Sequence, residues 1–116
     1  MKTDLVVSFE IDGLHYWPNA PLRYSEFEHP HRHLFKIVCY FPTRESNDVA
    51  RREEELWELR RKCITKVMET FAFRDCEQCN FEDRSCEGIA QELIHLLKAT
   101  EVFVGEEYWL GAWARR

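Results

Sequence analysis

The chain lacks an excess of positive charge. Its 116 residues contain 16 Lys and Arg against 21 Asp and Glu, which gives a formal net charge of −5. Because contacts to phosphates require a clustered positive surface, this balance argues against a protein dedicated to binding nucleic acid. The basic clusters that do occur, Arg51-Arg52 and Arg60-Arg61-Lys62, lie among glutamates and indicate a solvated helix face.

The sequence also lacks a long apolar run and a segment that resembles a signal peptide. A helix needs about 20 predominantly apolar residues to span a bilayer, so we expect no membrane partner and a cytoplasmic protein. In that compartment the five cysteines should be thiols or metal ligands rather than disulfides. No repeat, low-complexity tract or linker divides the chain, and its length predicts a single domain over residues 1–116.

Four segments have the composition of β-strands, with many β-branched and aromatic residues. They are Asp4 to Ile11, His33 to Phe41, Glu101 to Gly105 and Tyr108 to Trp113. The stretch from Trp17 to Pro30 holds three prolines and little periodicity, which predicts an ordered loop.

Two segments have helical periodicity. Apolar residues recur near a period of 3.6 up to about Phe71, after a possible N-cap cluster at Ser46-Asn47-Asp48. Ser85 is the expected N-cap of the second helix. The order ββααββ predicts an α+β fold, an antiparallel four-stranded sheet with both helices on one face. The aromatic strands indicate that another subunit covers the other face.

Three of the five histidines alternate in the stretch "EHPHRHLFKI", as His29, His31 and His33. Alternate residues of a strand share a face, and Phe35 and Ile37 continue this face into an apolar run. The histidines are therefore expected at the end of the buried face, although ordinary surface histidines near a proline-rich loop are the alternative.

A His-x-His pair on a strand is a common half of a zinc site, since the two imidazoles can bind one ion. A catalytic zinc keeps three protein ligands and an open position. His15, near the end of the first strand, is the obvious third ligand. The fifth histidine, His95, falls on the apolar side of the second helix.

Four motifs resemble those of the 6-pyruvoyl-tetrahydropterin synthase and 6-carboxytetrahydropterin synthase family. "SFEIDGLH" is similar to the first-strand motif, and the paired histidines are similar to the His-Gly-His that opens the second strand. "SCEGIAQELIHLL" resembles the Thr/Ser-x-Glu-x-(Ile/Leu)-Ala helix start, and "VFVGEE" resembles Val-x-Val-x-Glu-Thr. The motifs occur in family order and span nearly the whole chain. The resemblance implies the family's T-fold, which has the same ββααββ order.

The resemblance further implies a zinc-dependent carbon–oxygen lyase that acts on a pterin or purine-like ligand, in pterin or deazaguanine metabolism. His15 matches the first zinc ligand, and the pair matches either His31 and His33 or His29 and His31. We prefer His31 and His33, because Pro30 cannot donate to a β ladder and the strand should begin after it. Glu106 matches the glutamate that anchors the ring through its N–H groups.

The chain departs from the family in its proton-transfer residues. The family's active enzymes carry a cysteine shortly before His-Gly-His as general base, whereas residues 1–38 contain none. Glu26 or Glu28 is the candidate base, and simple loop carboxylates are the alternative. The family's Asp-His pair has no clear match, because no histidine follows Asp75 or Asp83.

The competing functions are therefore a catalytically inactive module that binds a ring-containing ligand or a protein partner, and a structural protein without histidine chemistry.

A second group of candidate ligands consists of cysteines. Cys76 and Cys79 form a C-x-x-C pair, Cys86 follows soon after, and Cys63 is a possible fourth ligand. A structural zinc site, a redox pair and loop cysteines without metal are all compatible with this spacing. The start of the second helix is expected to lower the pKa of Cys86.

Self-association is expected from the fold, because an exposed sheet edge is an aggregation hazard unless it is paired. The resemblance implies a barrel built from three or more subunits, hence a homo-oligomer that is a trimer or a larger ring. Trp109, Leu110 and Trp113 are candidates for burial between subunits.

Overall fold

Two long antiparallel strands form the centre of the fold. The computed structural model describes residues 4–42, 49–74 and 77–116 of the chain. Strands β1 (Leu5–His15) and β2 (His31–Phe41) pair in a register that sets Leu5 opposite Phe41 and His15 opposite His31. Strand β2 begins directly after Pro30, as expected for a residue that cannot donate to the ladder.

Three shorter strands complete the sheet. These are β3 (Cys79–Asn80), β4 (Glu101–Gly105) and β5 (Gly111–Arg115), and the spatial order is β3-β1-β2-β4-β5. Strands β1, β2, β4 and β5 are antiparallel neighbours, whereas β3 pairs in parallel with β1. The α+β class is thus confirmed, but the expected four-stranded antiparallel sheet is wrong, since the sheet is mixed and has five strands. A two-residue strand is too short to carry a periodic pattern.

Strand β5 begins later than the sequence indicates. The 3-10 helix Glu107–Trp109 occupies the expected start of this strand, and pairing begins at Gly111. A Cβ at Gly111 would collide with the backbone carbonyl of Val104, so the strand begins where only glycine allows this approach. The proline-containing loop likewise holds a 3-10 helix, Leu22–Glu28.

Both helices lie on one face of the sheet. Helix α1 (Val49–Thr70) packs over β1, and helix α2 (Cys86–Leu96) packs over β4 and β5. The Ser85 side chain accepts a hydrogen bond from the Gly88 N–H at 3.2 Å, which confirms the N-cap of α2. The N-cap cluster expected for α1 lies outside the described residues. Across those residues, no helix combines the length and apolar character needed to cross a membrane.

The hydrophobic core lies between the helices and the inward face of the sheet. Its strand residues alternate, as a half-buried sheet requires. The largest fully buried side chains are Phe35, Phe81, Ile37, Ile89, Leu93, Val67, Val102, Val104, Cys39 and Cys79. His15, His31 and His33 continue the same face beyond Ile11 and Phe35, so the core ends at these three side chains.

Candidate metal centre

The adjoining ends of β1 and β2 bring His15, His31 and His33 together. One ring nitrogen from each lies within 4.8 Å of the others, so these three residues, here called the histidine group, could hold a metal ion. His29 precedes the strand and is exposed. His95 is also exposed, so its expected place on the apolar side of α2 is wrong. The pairing register creates the group, because it sets His15 directly opposite His31.

All three rings are held through their Nδ1 atoms. The hydrogen bonds are His15 Nδ1 to Arg84 O (2.9 Å), His31 Nδ1 to His29 O (2.9 Å) and His33 Nδ1 to Glu107 Oε2 (2.6 Å). A backbone carbonyl and an ionised carboxylate only accept hydrogen bonds, so each Nδ1 carries the proton and donates. This arrangement leaves the Nε2 lone pair of every ring available to a metal, as in histidine ligands generally.

Two of these Nε2 atoms, those of His15 and His33, are buried and have no hydrogen-bond partner among the described residues. The Glu106 carboxylate faces both, with Oε1 3.1 Å from Nε2 of His15 and Oε2 3.5 Å from Nε2 of His33. Neither contact has hydrogen-bond geometry, and a lone pair beside a carboxylate oxygen is unfavourable. A cation among these atoms would satisfy the nitrogens and the carboxylate together. The donor set therefore fits a metal ion.

The protonation state of His15 favours metal binding. Burial lowers the pKa of His15 from its ordinary value, and the neighbouring His31 and His33 lower it further. The hydrogen bond to the backbone carbonyl of Arg84 and the negative charge of Glu106 oppose this shift of the pKa. The neutral imidazole is the form that ligates metals. His15 is thus prepared to accept a cation without first losing a proton.

Glu107 supports the centre from the other side of His33. Its Oε1 accepts the Leu34 N–H at 2.7 Å while its Oε2 accepts Nδ1–H of His33. Burial opposes ionisation of this carboxyl, but the hydrogen bonds from Leu34 and His33 outweigh it and lower the pKa of Glu107 to about 2. The carboxylate is therefore ionised at neutral pH.

A cavity of about 570 Å³ opens onto the histidine group. Its volume lies in the range of pockets that hold small molecules. Glu106 lines it, and Cys86 lines it at the start of α2. The opposite rim is aromatic, because Trp17 and Phe27 line the cavity and stack on Tyr24 with ring centroids 5.7 and 6.3 Å apart. Such a rim can stack against a flat ring.

The two candidate general bases are not among the residues that line this cavity. Glu26 and Glu28 are exposed on the 3-10 helix, whereas Phe27 between them faces the cavity. The structure thus brings the histidine group and Glu106 together and leaves these two glutamates outside. Their role in proton transfer stays a prediction.

The cysteines do not form a second centre among the residues described. Cys79 is buried in the core, with its Sγ 3.7 Å from Met68 Sδ, while Cys86 lines the cavity. Cys76 lies outside the described residues. The expected low pKa of Cys86 is wrong, because burial and then the negative charge of Glu106 raise the pKa of this thiol to about 12.

Two supporting features of the centre were not identified from the sequence. Glu107 directly follows Glu106, and no local signal tells which side of an imidazole each carboxylate will face. The aromatic rim formed by Trp17 and Phe27 falls in an irregular segment whose spacing indicates no common face. Both features depend on how distant segments pack.

No protein-family model matches the chain, and no curated protein matches it either. The likeness to the 6-pyruvoyl-tetrahydropterin synthase family accordingly rests on the four motifs and stays a prediction.

Proposed function

We propose that the protein is a zinc-binding, T-fold member of the 6-pyruvoyl-tetrahydropterin and 6-carboxytetrahydropterin synthase type, which binds a pterin-like or purine-like ring at the histidine group. One observation carries the proposal: three imidazoles converge with their Nδ1 atoms held by acceptors, and two of their Nε2 atoms are buried with no hydrogen-bond partner in the part of the chain that the structure describes. A T-fold is consistent with the four antiparallel neighbours β1, β2, β4 and β5, with β3 as an addition.

We propose zinc as the metal that the histidine group binds. Three neutral histidines are the protein ligands of a well-known class of catalytic zinc sites, in which the fourth position stays open. His15, His31 and His33 would hold the ion. When bound, zinc would supply Lewis acidity and lower the pKa of a coordinated water.

A flat heterocycle fits the remainder of the cavity. Glu106 presents a carboxylate, which can accept two parallel hydrogen bonds from ring N–H groups. Trp17 and Phe27 supply an aromatic surface on which such a ring could stack. These residues support a ring-containing ligand bound next to the metal.

Catalysis has less support than binding. A lyase of this type needs a general base, and Glu26 and Glu28 are exposed and absent from the cavity lining. General acid–base groups typically contribute about 10² to 10⁴ in rate each, so their loss would disable the reaction. This observation favours the second candidate function, a catalytically inactive module that keeps the metal and binds the ring or a protein partner.

Self-association is part of the proposal. Strand β5 is an edge of the sheet, and two large apolar side chains beside it, Trp109 and Leu110, are 64% and 67% exposed. Pairing of such an edge with another copy of the chain would cover it. We propose a trimer or a larger ring, located in the cytoplasm.

The decisive experiment is the metal content of protein purified without added metal. We expect about one zinc per chain, as three histidines form one site. A variant with His15, His31 and His33 all replaced by alanine should lose the metal. His29→Ala and His95→Ala are matched controls, because both side chains are exposed and neither belongs to the histidine group.

Each outcome is informative. Zinc that survives in the triple variant would place the metal at the cysteines and overturn the proposed centre. Loss of zinc in His29→Ala would show that this residue is a ligand. If the wild type carries zinc and binds pterin or guanine but releases no product, the inactive module is the correct function.

A further inference from the structure

We infer that Glu107 is a positioning residue of the metal centre. It holds His33 in the tautomer and orientation that present Nε2 to the ion, and thereby raises the metal affinity of the histidine group. The inference rests on the proposed function, because it assumes that the group binds a metal. Glu107 is not among the residues that line the cavity, so its effect on a metal would act through His33.

The Glu107 carboxylate accepts hydrogen bonds from two consecutive residues of β2. Oε2 accepts from Nδ1 of His33 at 2.6 Å, and Oε1 accepts from the Leu34 backbone N–H at 2.7 Å. With both oxygens engaged, the carboxylate cannot rotate without losing a hydrogen bond. Charge-assisted hydrogen bonds of this kind are among the shorter and stronger ones in proteins.

The end of the β2–β4 ladder explains why the Leu34 amide is available. The last paired residues are Lys36 and Gly105, and continued pairing would set Leu34 opposite Glu107. The chain instead turns into the 3-10 helix Glu107–Trp109, so no backbone carbonyl of β4 reaches the amide. The Glu107 side chain takes the place of that carbonyl, since backbone N–H groups require a partner.

The two consecutive glutamates occupy opposite sides of one imidazole. Glu106 has extended backbone angles, φ −87° and ψ 180°, and its carboxylate faces Nε2 of His33 from the cavity. Glu107 begins the 3-10 helix, and its carboxylate binds Nδ1 of the same ring. Because the backbone conformation changes between the two residues, Glu106 lines the cavity, whereas Glu107 contacts the Nδ1 side of the His33 ring.

His33 differs from the other two members of the histidine group in its support. Nδ1 of His15 and Nδ1 of His31 donate to backbone carbonyls, whereas Nδ1 of His33 donates to an ionised side chain. A carboxylate partner fixes the tautomer and also raises the basicity of the ligating nitrogen. Because this partner is a side chain, a single substitution removes it, and the same substitution also removes the acceptor of the Leu34 N–H.

We expect the loss of metal affinity to be smaller in Glu107→Gln than in Glu107→Ala. In Glu107→Gln one amide oxygen remains to accept, and the amide NH₂ cannot accept from the second donor, so one of the two hydrogen bonds is lost. In Glu107→Ala both are lost. Removal of such a partner typically lowers metal affinity about 10- to 100-fold. We expect about 10-fold for the glutamine variant and about 100-fold for the alanine variant.

Two measurements test the inference on the full chain. Titration of zinc into the metal-free protein against a chromophoric chelator gives the affinity of each variant. Long-range ¹H–¹⁵N spectra of the metal-free protein report the tautomer of His33, which should be Nδ1–H in the wild type and mixed in Glu107→Ala, which keeps neither hydrogen bond. Glu101→Gln is the matched control. Glu101 lies on β4, and the only ion pair described for its carboxylate is with Arg115, which is not part of the metal centre.

The outcomes separate this inference from the proposed function. Unchanged affinity in Glu107→Gln would overturn it, even if the alanine variant fails to fold, because glutamine lacks the negative charge and keeps only one of the two hydrogen bonds. An unchanged His33 tautomer in a folded Glu107→Ala would overturn it as well. A wild type that binds no zinc at the histidine group would refute the proposed metal site, while the tautomer would still show whether Glu107 orients His33. A loss of affinity as large in Glu101→Gln as in Glu107→Gln would also overturn it.

Discussion

The Glu106 carboxylate and Nε2 of His15 lie 3.1 Å apart, and both residues line the cavity. His15 is buried, and no described residue forms a hydrogen bond with its Nε2. Glu106 therefore stands where it could contact either a metal at the histidine group or a ring in the cavity. The histidine group already supplies the three protein ligands of a catalytic zinc site, which favours the ring. The two roles predict different results when the carboxylate is removed.

Glu106→Ala should retain zinc and lose the ring ligand. Hydrogen bonds to a charged group contribute about 1.5–3 kcal/mol, so the affinity for guanine or pterin should fall at least about tenfold. Calorimetric titration with both compounds, together with metal analysis, measures the two effects. Glu87→Ala is the control, because Glu87 also lines the cavity but is exposed. Loss of zinc in Glu106→Ala would make Glu106 a metal ligand instead.

Gly13→Ala should destabilise the protein and weaken the metal centre. An added Cβ would lie 2.7 Å from Phe81, which is closer than Cβ atoms approach other atoms, and 3.0 Å from Phe35, which is a tight contact. Phe35 packs edge-on against the rings of His15 and His33, with centroids 5.1 and 5.6 Å apart, so its displacement would disturb both. Overpacking typically costs about 1–3 kcal/mol. Urea denaturation measures the loss, and zinc titration measures the effect on the centre.

Gly88→Ala provides the matched comparison. Gly88 lies in the first turn of α2, and an added Cβ there would meet its nearest neighbour at an ordinary 3.6 Å. Alanine should stabilise the helix by about 0.5–1 kcal/mol and leave zinc affinity unchanged. Equal stability of Gly13→Ala and the wild type would show that Phe81 and Phe35 move without cost.

The sequence predicts those features that a period of two or of 3.6 encodes. Alternation places the inward residues of β1 and β2, and Pro30 marks where β2 begins. The same alternation sets His31 and His33 on one face, and His15 at the end of the neighbouring strand completes the group. These features need only local spacing and one strand pairing.

Other features depend on long-range packing and have no local signature. Strand β3 exists because the Phe81 N–H donates to the Leu14 carbonyl at 2.8 Å, a contact between segments far apart in sequence. The high pKa of Cys86 has the same origin. The helix start is visible in the sequence, but burial of the thiol and its proximity to Glu106 are not.

The buried thiol of Cys39 should make stability fall at alkaline pH. Burial, with a contribution from Cys63, raises the pKa of Cys39 to about 12 from 9.0. The folded pKa is above the unfolded value, so this stabilisation is complete below pH 9 and is lost as pH rises toward 12. Across that window the free energy of unfolding should fall by about 1.4 kcal/mol per pH unit from this group.

Cys39→Ala tests this expectation. The variant lacks the titrating thiol, so its stability deficit relative to the wild type should shrink by about 1.4 kcal/mol between about pH 8 and about pH 10. Urea denaturation at the two pH values measures the deficit. Ile37→Ala, the preceding inward residue of β2, should keep a constant deficit. A constant deficit in both variants would contradict the role of the thiol.

The outer face of the sheet should mediate self-association. Trp113 on β5 stacks on Tyr40 with ring centroids 5.6 Å apart, yet 46% of it remains exposed. Sedimentation at micromolar concentration should show a trimer or a larger ring, and Trp113→Glu should dissociate it, because an unpaired charge is costly to bury. Trp57→Glu is the control, since Trp57 is 66% exposed on α1, across the sheet. A monomeric wild type, or equal dissociation by both substitutions, would contradict an interface at β5.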